Sequence, residues 1–251
     1  MRSSAAVEIR NALADVADPA KAVAMSAYMK DHFAFFGIAK PERVAATKTL
    51  IRALDTEADA AVDSIVRALW KSPERECQYC ALDLLQRHAK YQSEGTLRLL
   101  RELVVSKSWW DSVDGIAPLV GAGVMRFPAW AAEMRRWAID ENLWVRRVAI
   151  IHQLGAGDRV DLGRLTEIVL DNGADPEFFI RKAIGWALRQ VAWTNPTFVE
   201  AFVRAHSEVL SPLSKREALK NIAKIRLAAP GLSSPGVCQW KVEPSSVASA
   251  P

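Results

Sequence analysis

Little in this chain of 251 residues suits a secreted, membrane-spanning or metal-centred protein. It has only three cysteines, an odd number that fits a reducing compartment better than a disulfide framework. No run of about 18 apolar residues occurs, so no transmembrane helix is expected. The segment from Met1 to Ala6 lacks a long apolar stretch, which argues against secretion. The four histidines, His32, His88, His152 and His206, are scattered without metal-ligand spacing. Cys77-Gln78-Tyr79-Cys80 matches C-x-x-C, but it sits in a helical pattern continued by Ala81, Leu84 and Leu85. No second cysteine pair exists, because Cys238 stands alone, so neither a zinc nor a redox site is expected there. No glycine-rich phosphate loop or G-x-S-x-G elbow is present, which leaves nucleotide hydrolysis and acyl transfer without support. No segment alternates polar and apolar residues around an Asn-Gly or Asp-Gly turn, so hairpins are not expected.

What remains is helix. Half of the residues are hydrophobic, and almost every segment reads as an amphipathic helix of roughly 10 to 18 residues between short breaks. Ser72-Pro73, Asp175-Pro176 and Asn195-Pro196 each place a capping side chain before a proline at the first helical position. Ser108 with Asp111, and Ser214 with Glu217, resemble capping boxes. About a dozen helices fit between Ala20 and Ala228, at roughly 35 to 40 residues per pair, as in HEAT-type arrays. The expected fold is all-α, a curved superhelical array of antiparallel helix pairs whose concave face suits a duplex. Residues 1–229 are expected to form one domain, and the Pro/Ser-rich segment 230–251 a flexible tail. The net charge of +4 leans toward anionic partners, but distribution matters more than the sum.

Side chains that leave the apolar stripe are the informative ones. Each helical residue advances about 100°. Within Trp109-Trp110-Asp111-Ser112-Val113-Asp114, that places Trp109 with Val113, Ile116 and Val120 on a core face. Trp110 and Asp114, four residues apart, share another face. In the helix near Pro176, Ile180, Ile184, Ala187, Leu188 and Val191 form the buried stripe. Trp186 falls about 200° from Ile184, in the company of Lys182, Arg189 and Gln190. Near Asn142, Arg147 lies among Leu143, Ile150, Ile151 and Leu154, whereas Arg146 points to the polar edge. A guanidinium in an apolar arc requires a carboxylate or phosphate partner. Asp114 is one candidate, and an ordinary helix-packing salt bridge is the competing explanation. After Ser214, Arg216, Lys220 and Lys224 recur every four residues, with Lys215 beside them. Such a stripe suits phosphate tracking, although a charge run is often only a solvated face.

Several blocks in one order carry a family resemblance. They are Lys30-Asp31-His32-Phe33, Pro73-Glu74-Arg75-Glu76, the run from Ser106 to Asp114, Asn142-Leu143-Trp144 with Arg147, Lys182-Ala183-Ile184-Gly185-Trp186, and Pro212-Leu213-Ser214-Lys215-Arg216-Glu217-Ala218. Together they resemble the bacterial DNA alkylation repair family of HEAT-like alkylpurine DNA glycosylases, across residues 20 to 226. The Trp-Trp-Asp and Lys-Ala-Ile-Gly-Trp blocks are specific in combination, and the Pro/Ser-rich tail has no counterpart in the family pattern. The resemblance implies a lesion-facing group made of Trp110, Trp186, Asp114 and Arg147, the same residues that the helical faces set apart. Read from their faces and spacing, Lys182, Arg189, Lys215, Arg216, Lys220 and Lys224 are the residues expected to face DNA.

The implied activity is that of a monofunctional glycosylase, which hydrolyses the N-glycosidic bond of N3- and N7-alkylated purines in double-stranded DNA. It would act as a monomer without metal or cofactor, in a bacterial cytoplasm, on the nucleoid. A non-catalytic module for damaged or branched DNA is the alternative. A protein-interaction scaffold is a third possibility, and its binding would barely respond to salt, unlike phosphate contacts.

Overall fold

The computed structural model describes residues 2–54 and 58–228. The boundary placed at residue 229 and the segment 230–251 lie outside the described residues. Among the described residues the chain forms fourteen α-helices, two short 3-10 turns and one isolated bridge between Ala34 and Glu74. The helices are α1 (Arg2–Ala14), α2 (Pro19–Tyr28), α3 (Lys40–Ala53), α4 (Asp59–Lys71), α5 (Arg75–His88), α6 (Thr96–Val104) and α7 (Trp110–Val124). They continue with α8 (Pro128–Ala138), α9 (Leu143–Ile151), α10 (Leu162–Asp171), α11 (Phe178–Val191), α12 (Pro196–Ala205), α13 (Pro212–Leu219) and α14 (Ile222–Ala228).

The pairing follows chain order, as an α-solenoid requires. The odd-numbered helices from α3 to α13 pack each on the next, and α4, α6, α8, α10 and α12 back them. Helix α1 closes one end against α3, α4 and α5, and α2 buries none of its residues. One continuous apolar core runs from Ala6 to Ile225. The stripe expected in α11 is buried at every position, from Ile180 and Ile184 to Ala187, Leu188 and Val191.

Helix starts depart from most of the sequence expectations, because other partners claim the backbone or the capping group. Only Asn195-Pro196 behaves as expected, with the Asn195 side chain accepting from Phe198 N at 3.0 Å. Helix α5 starts at Arg75 rather than after Ser72, because Arg75 N donates to Ala34 O at 2.8 Å and holds the chain extended through Glu74. Helix α11 starts at Phe178, since Asp175 folds onto Glu177 N at 2.8 Å and pairs with Arg146 at 2.9 Å. Neither expected capping box forms. The Ser108 hydroxyl donates backwards to Val104 O at 2.6 Å. Ser214 is buried inside α13, which is capped instead by Ser211, accepting from Ser214 N at 3.0 Å.

Helices α7 and α9 approach closely because Gly121 carries no side chain; a Cβ there would run into the carbonyl oxygen of His152. His152 itself is 2 % exposed, and its Nδ1 donates to Ala149 O at 2.7 Å. Burial pushes its pKa from 6.5 down to about 4, so the ring is neutral at pH 7. The unfolded chain therefore takes up this proton at a higher pH than the folded one. Stability is expected to fall as pH drops from 6.5 towards 4, by about 3 kcal/mol in total from this ring. Chemical denaturation at several pH values checks it, with His152→Gln expected to flatten that slope.

Candidate functional site

The run containing both tryptophans is not one short helix. Trp109 is extended, at φ −158° and ψ 162°, and forms the N-cap of α7. Trp110, Asp111 and Asp114 then fall on the first turns of the 15-residue helix. Val113, Ile116 and Val120 are fully buried as expected. Trp109 does not join them, because an extended residue does not follow the helical face. Its indole enters an aromatic cluster with His32 (4.4 Å between centroids), Phe179 (5.2 Å) and Trp144 (5.7 Å). Trp144 and Phe179 are themselves 5.0 Å apart. This cluster joins the N-terminal ends of α7, α9 and α11. Periodicity alone could not find it, since Trp109 and Phe179 meet only in the tertiary structure.

Two carboxylate–guanidinium pairs fix α7 at successive turns. The Arg75 side chain is fully buried, and it donates to Asp111 Oδ2 at 2.8 Å, Asp111 Oδ1 at 2.6 Å, Lys107 O at 2.9 Å and Ser112 Oγ at 2.8 Å. Its guanidinium also lies 3.8 Å from the centre of the Phe33 ring. Tyr79 OH adds a 2.6 Å bond to Asp111. So Asp111, expected to act as a cap, is saturated by a brace from α5. One turn on, Arg147 of α9 donates from Nε to Asp114 Oδ1 and from Nη2 to Oδ2, both at 2.8 Å, and from Nη1 to Phe179 O at 2.6 Å.

The second pair differs from the first in exposure. The Asp111 side chain is 7 % exposed and that of Asp114 16 %, over an Arg147 side chain that is 6 % exposed. Two-point pairing uses one lone pair on each Asp114 oxygen and leaves others for a water or a ligand. Burial pushes the Asp114 carboxyl above its ordinary pKa, Arg147 pulls it back down, and nearby Asp111 adds to the rise. The result is a carboxylate more basic than a surface one.

Other expected site residues are placed as follows. Trp110 is half-buried one turn before Asp114, with Tyr28 edge-on at 6.3 Å. Trp186 is half-buried on α11, packed against the core two turns beyond the Phe179 carbonyl that receives Arg147. Lys182 and Arg189 share its face, but both are engaged by Glu217 of α13, at 3.2 Å and 2.6 Å. Lys215 turns away to Ser207 O at 2.9 Å. Arg216, Lys220 and Lys224 are exposed. They do not share one helix, because α13 ends at Leu219 and α14 begins at Ile222. Arg146 bonds Asp140 O, Glu141 O and Asp175, which is a structural role. Cys77 and Cys80 are buried within α5, and burial pushes the Cys77 thiol up to about 12. Such a thiol is unreactive at neutral pH.

By architecture the protein is an α-solenoid in which the partly exposed Asp114 carboxylate is held by Arg147, one helical turn from the Trp110 indole. Comparison with known proteins makes the class specific. The model of the DNA alkylation repair enzyme family matches residues 9–222, and the chain belongs to that family. A solved structure described as a predicted DNA alkylation repair enzyme from Enterococcus faecalis is 36 % identical, with a TM-score of 0.77 over 83 % of this chain and 97 % of that one. No curated protein matches the chain. Among the described residues no helix is long and apolar enough to cross a membrane.

Proposed function

We propose that the protein is a monofunctional DNA glycosylase, which hydrolyses the N-glycosidic bond of N3- and N7-alkylated purines in duplex DNA and leaves an abasic site. The observation that carries this is Asp114. It is a carboxylate of raised basicity, 16 % exposed, two-point bonded to Arg147 and one helical turn from Trp110.

Alkylation at N3 or N7 makes the purine cationic, so the base departs as a neutral molecule and needs little general-acid help. Glycoside cleavage ordinarily uses two carboxylates; here one suffices. As the C1′–N bond lengthens, positive charge grows on the deoxyribose. Asp114 stabilises that charge and accepts a proton from the water that adds to C1′. Arg147 keeps the carboxylate ionised and aimed. The faces of Trp110 and Trp186 bear against the sugar, each worth about 0.5 to 2 kcal/mol for a cation. The chemistry requires no metal or cofactor, because the leaving group arrives already activated. Two lysines of the region are occupied, Lys107 by the carbonyl oxygens of Lys71 and Ser72 and Lys182 by Glu217. That favours hydrolysis over attack by an amine, so strand cleavage is not expected. The protein is proposed to act as a monomer.

The test is to incubate the protein with methylated duplex DNA, then follow free bases by chromatography and strand length by electrophoresis. Free 3-methyladenine or 7-methylguanine should appear, with strands intact until alkali treatment. Binding without any released base would instead assign the protein to recognition of damaged DNA.

A further inference from the structure

Glu217 is an acid set into the basic face that carries Trp186. Lys182, Trp186 and Arg189, spaced by four and three residues, form one stripe of α11. From α13, Glu217 reaches both ends of that stripe, with Oε1 3.2 Å from Lys182 Nζ and Oε2 2.6 Å from Arg189 Nη1. Its side chain is only 12 % exposed. Burial alone would push the carboxyl up, but Lys182, Arg189 and nearby Lys220 outweigh that and hold it below the usual value. Glu217 is therefore ionised at neutral pH, and it halves the charge that Lys182 and Arg189 offer outward.

The contact is built into the packing. A Cβ on Gly185 would meet Glu217 Cβ at 2.5 Å and Ser214 O at 3.0 Å, so α13 approaches only because residue 185 has no side chain. Ser214 Oγ donates to Arg181 O at 3.0 Å and fastens the two helices one turn earlier. A flexible surface pair would need neither device.

Given that the α11 face meets DNA, as inferred above, we propose that Glu217 limits affinity by competing with backbone phosphate for Lys182 and Arg189. Carboxylate and phosphate offer a guanidinium or ammonium the same kind of charge-assisted acceptor. A phosphate arriving here replaces an existing bond and gains little, whereas at a free cation it would gain a whole contact. Undamaged DNA is the overwhelming competitor for any lesion-seeking protein. A weak grip on ordinary backbone beside Trp186 keeps the protein moving between sites.

The experiment measures binding of the full chain to an undamaged fluorescent duplex by anisotropy, across a series of salt concentrations. Glu217→Gln keeps the shape of the side chain and removes its charge, leaving one amide oxygen that can still accept from Lys182 or Arg189. It is expected to bind about tenfold more tightly near 0.1 M salt, with the log–log salt slope steeper by about one to two. Glu217→Ala should move affinity and slope in the same direction, which guards against a local effect of glutamine. Unchanged or weaker binding with an unchanged slope in both variants overturns the proposal. Lys182→Gln separates that failure from failure of the wider reading. If it weakens binding while the Glu217 variants do nothing, α11 meets DNA and only the role of Glu217 is wrong. If it too leaves binding unchanged, the α11 face does not meet DNA and both readings fall.

Discussion

Asp114→Asn is expected to lower single-turnover release of methylpurines by about 10² to 10³-fold, the usual cost of removing a group aimed at charge that develops in the transition state. The substitution conserves volume, so packing around α7 should survive. It leaves the Arg147 guanidinium buried opposite a neutral amide, with the amide oxygen and Phe179 O, at 2.6 Å, as its acceptors. Stranding a buried charge can cost about 3 to 5 kcal/mol. The retained carbonyl bond and the 16 % exposure of residue 114 bring the expected loss nearer 2 kcal/mol. That corresponds to a fall in Tm of roughly 4 to 8 °C for a chain of this size. Duplex binding should be unchanged or slightly tighter, because one negative charge leaves the surface proposed to face DNA. Lost release with retained binding and a folded circular dichroism spectrum is the expected pattern. Lost binding in parallel would mean that the variant reports on folding alone.

Arg147→Met should have an effect of another kind. Burial is the main cause of the raised Asp114 pKa, and Arg147 is the group that opposes it. Removing the guanidinium lets the carboxyl rise further, so that it becomes protonated closer to neutral pH. In the proposed role Asp114 works in the ionised form, so activity is expected to be lost as pH falls through its pKa. A higher pKa moves that acid limb upward. At pH 7 the variant should therefore release base about 10² times more slowly, and it should recover part of the loss at pH 9. A pH–rate profile checks the shift. A loss that is uniform across pH would show that Arg147 acts by packing and not through the acidity of Asp114. Stability should also fall, by about 3 kcal/mol, because methionine fills the space but leaves a buried carboxylate unpaired.

The sequence was most legible where local periodicity and chemistry coincide. The buried stripe of α11 follows from Ile180, Ile184 and Val191 alone, and all three are buried. Arg147 among aliphatic side chains demanded a partner, and Asp114 bonds it at 2.8 Å through both oxygens. Legibility ended where a residue serves something 30 positions away. Asp111 reads as a cap until Arg75, 36 residues earlier, takes both of its oxygens. Glu217 reads as half of a capping box until Arg189, 28 residues earlier, takes one oxygen and Lys182 the other. Counting 100° steps places Trp109 in the core, but the helix begins only at Trp110. The aromatic cluster it joins depends on how three helix ends stack, which no single helical wheel contains.

Base release by the double variant Asp114→Asn/Arg147→Met tests the central claim most directly. The pair could be a structural brace, like Arg75 with Asp111, or the reactive centre. In the double variant neither charge is left stranded, and exchanging a buried ion pair for neutral groups of similar volume is often close to neutral for stability. If the pair is the reactive centre, the double variant is folded, with a Tm within a few degrees of the unmodified protein, and it releases alkylated purines at least about 10²-fold more slowly than that protein. Release at the unmodified rate by that folded double variant would contradict it.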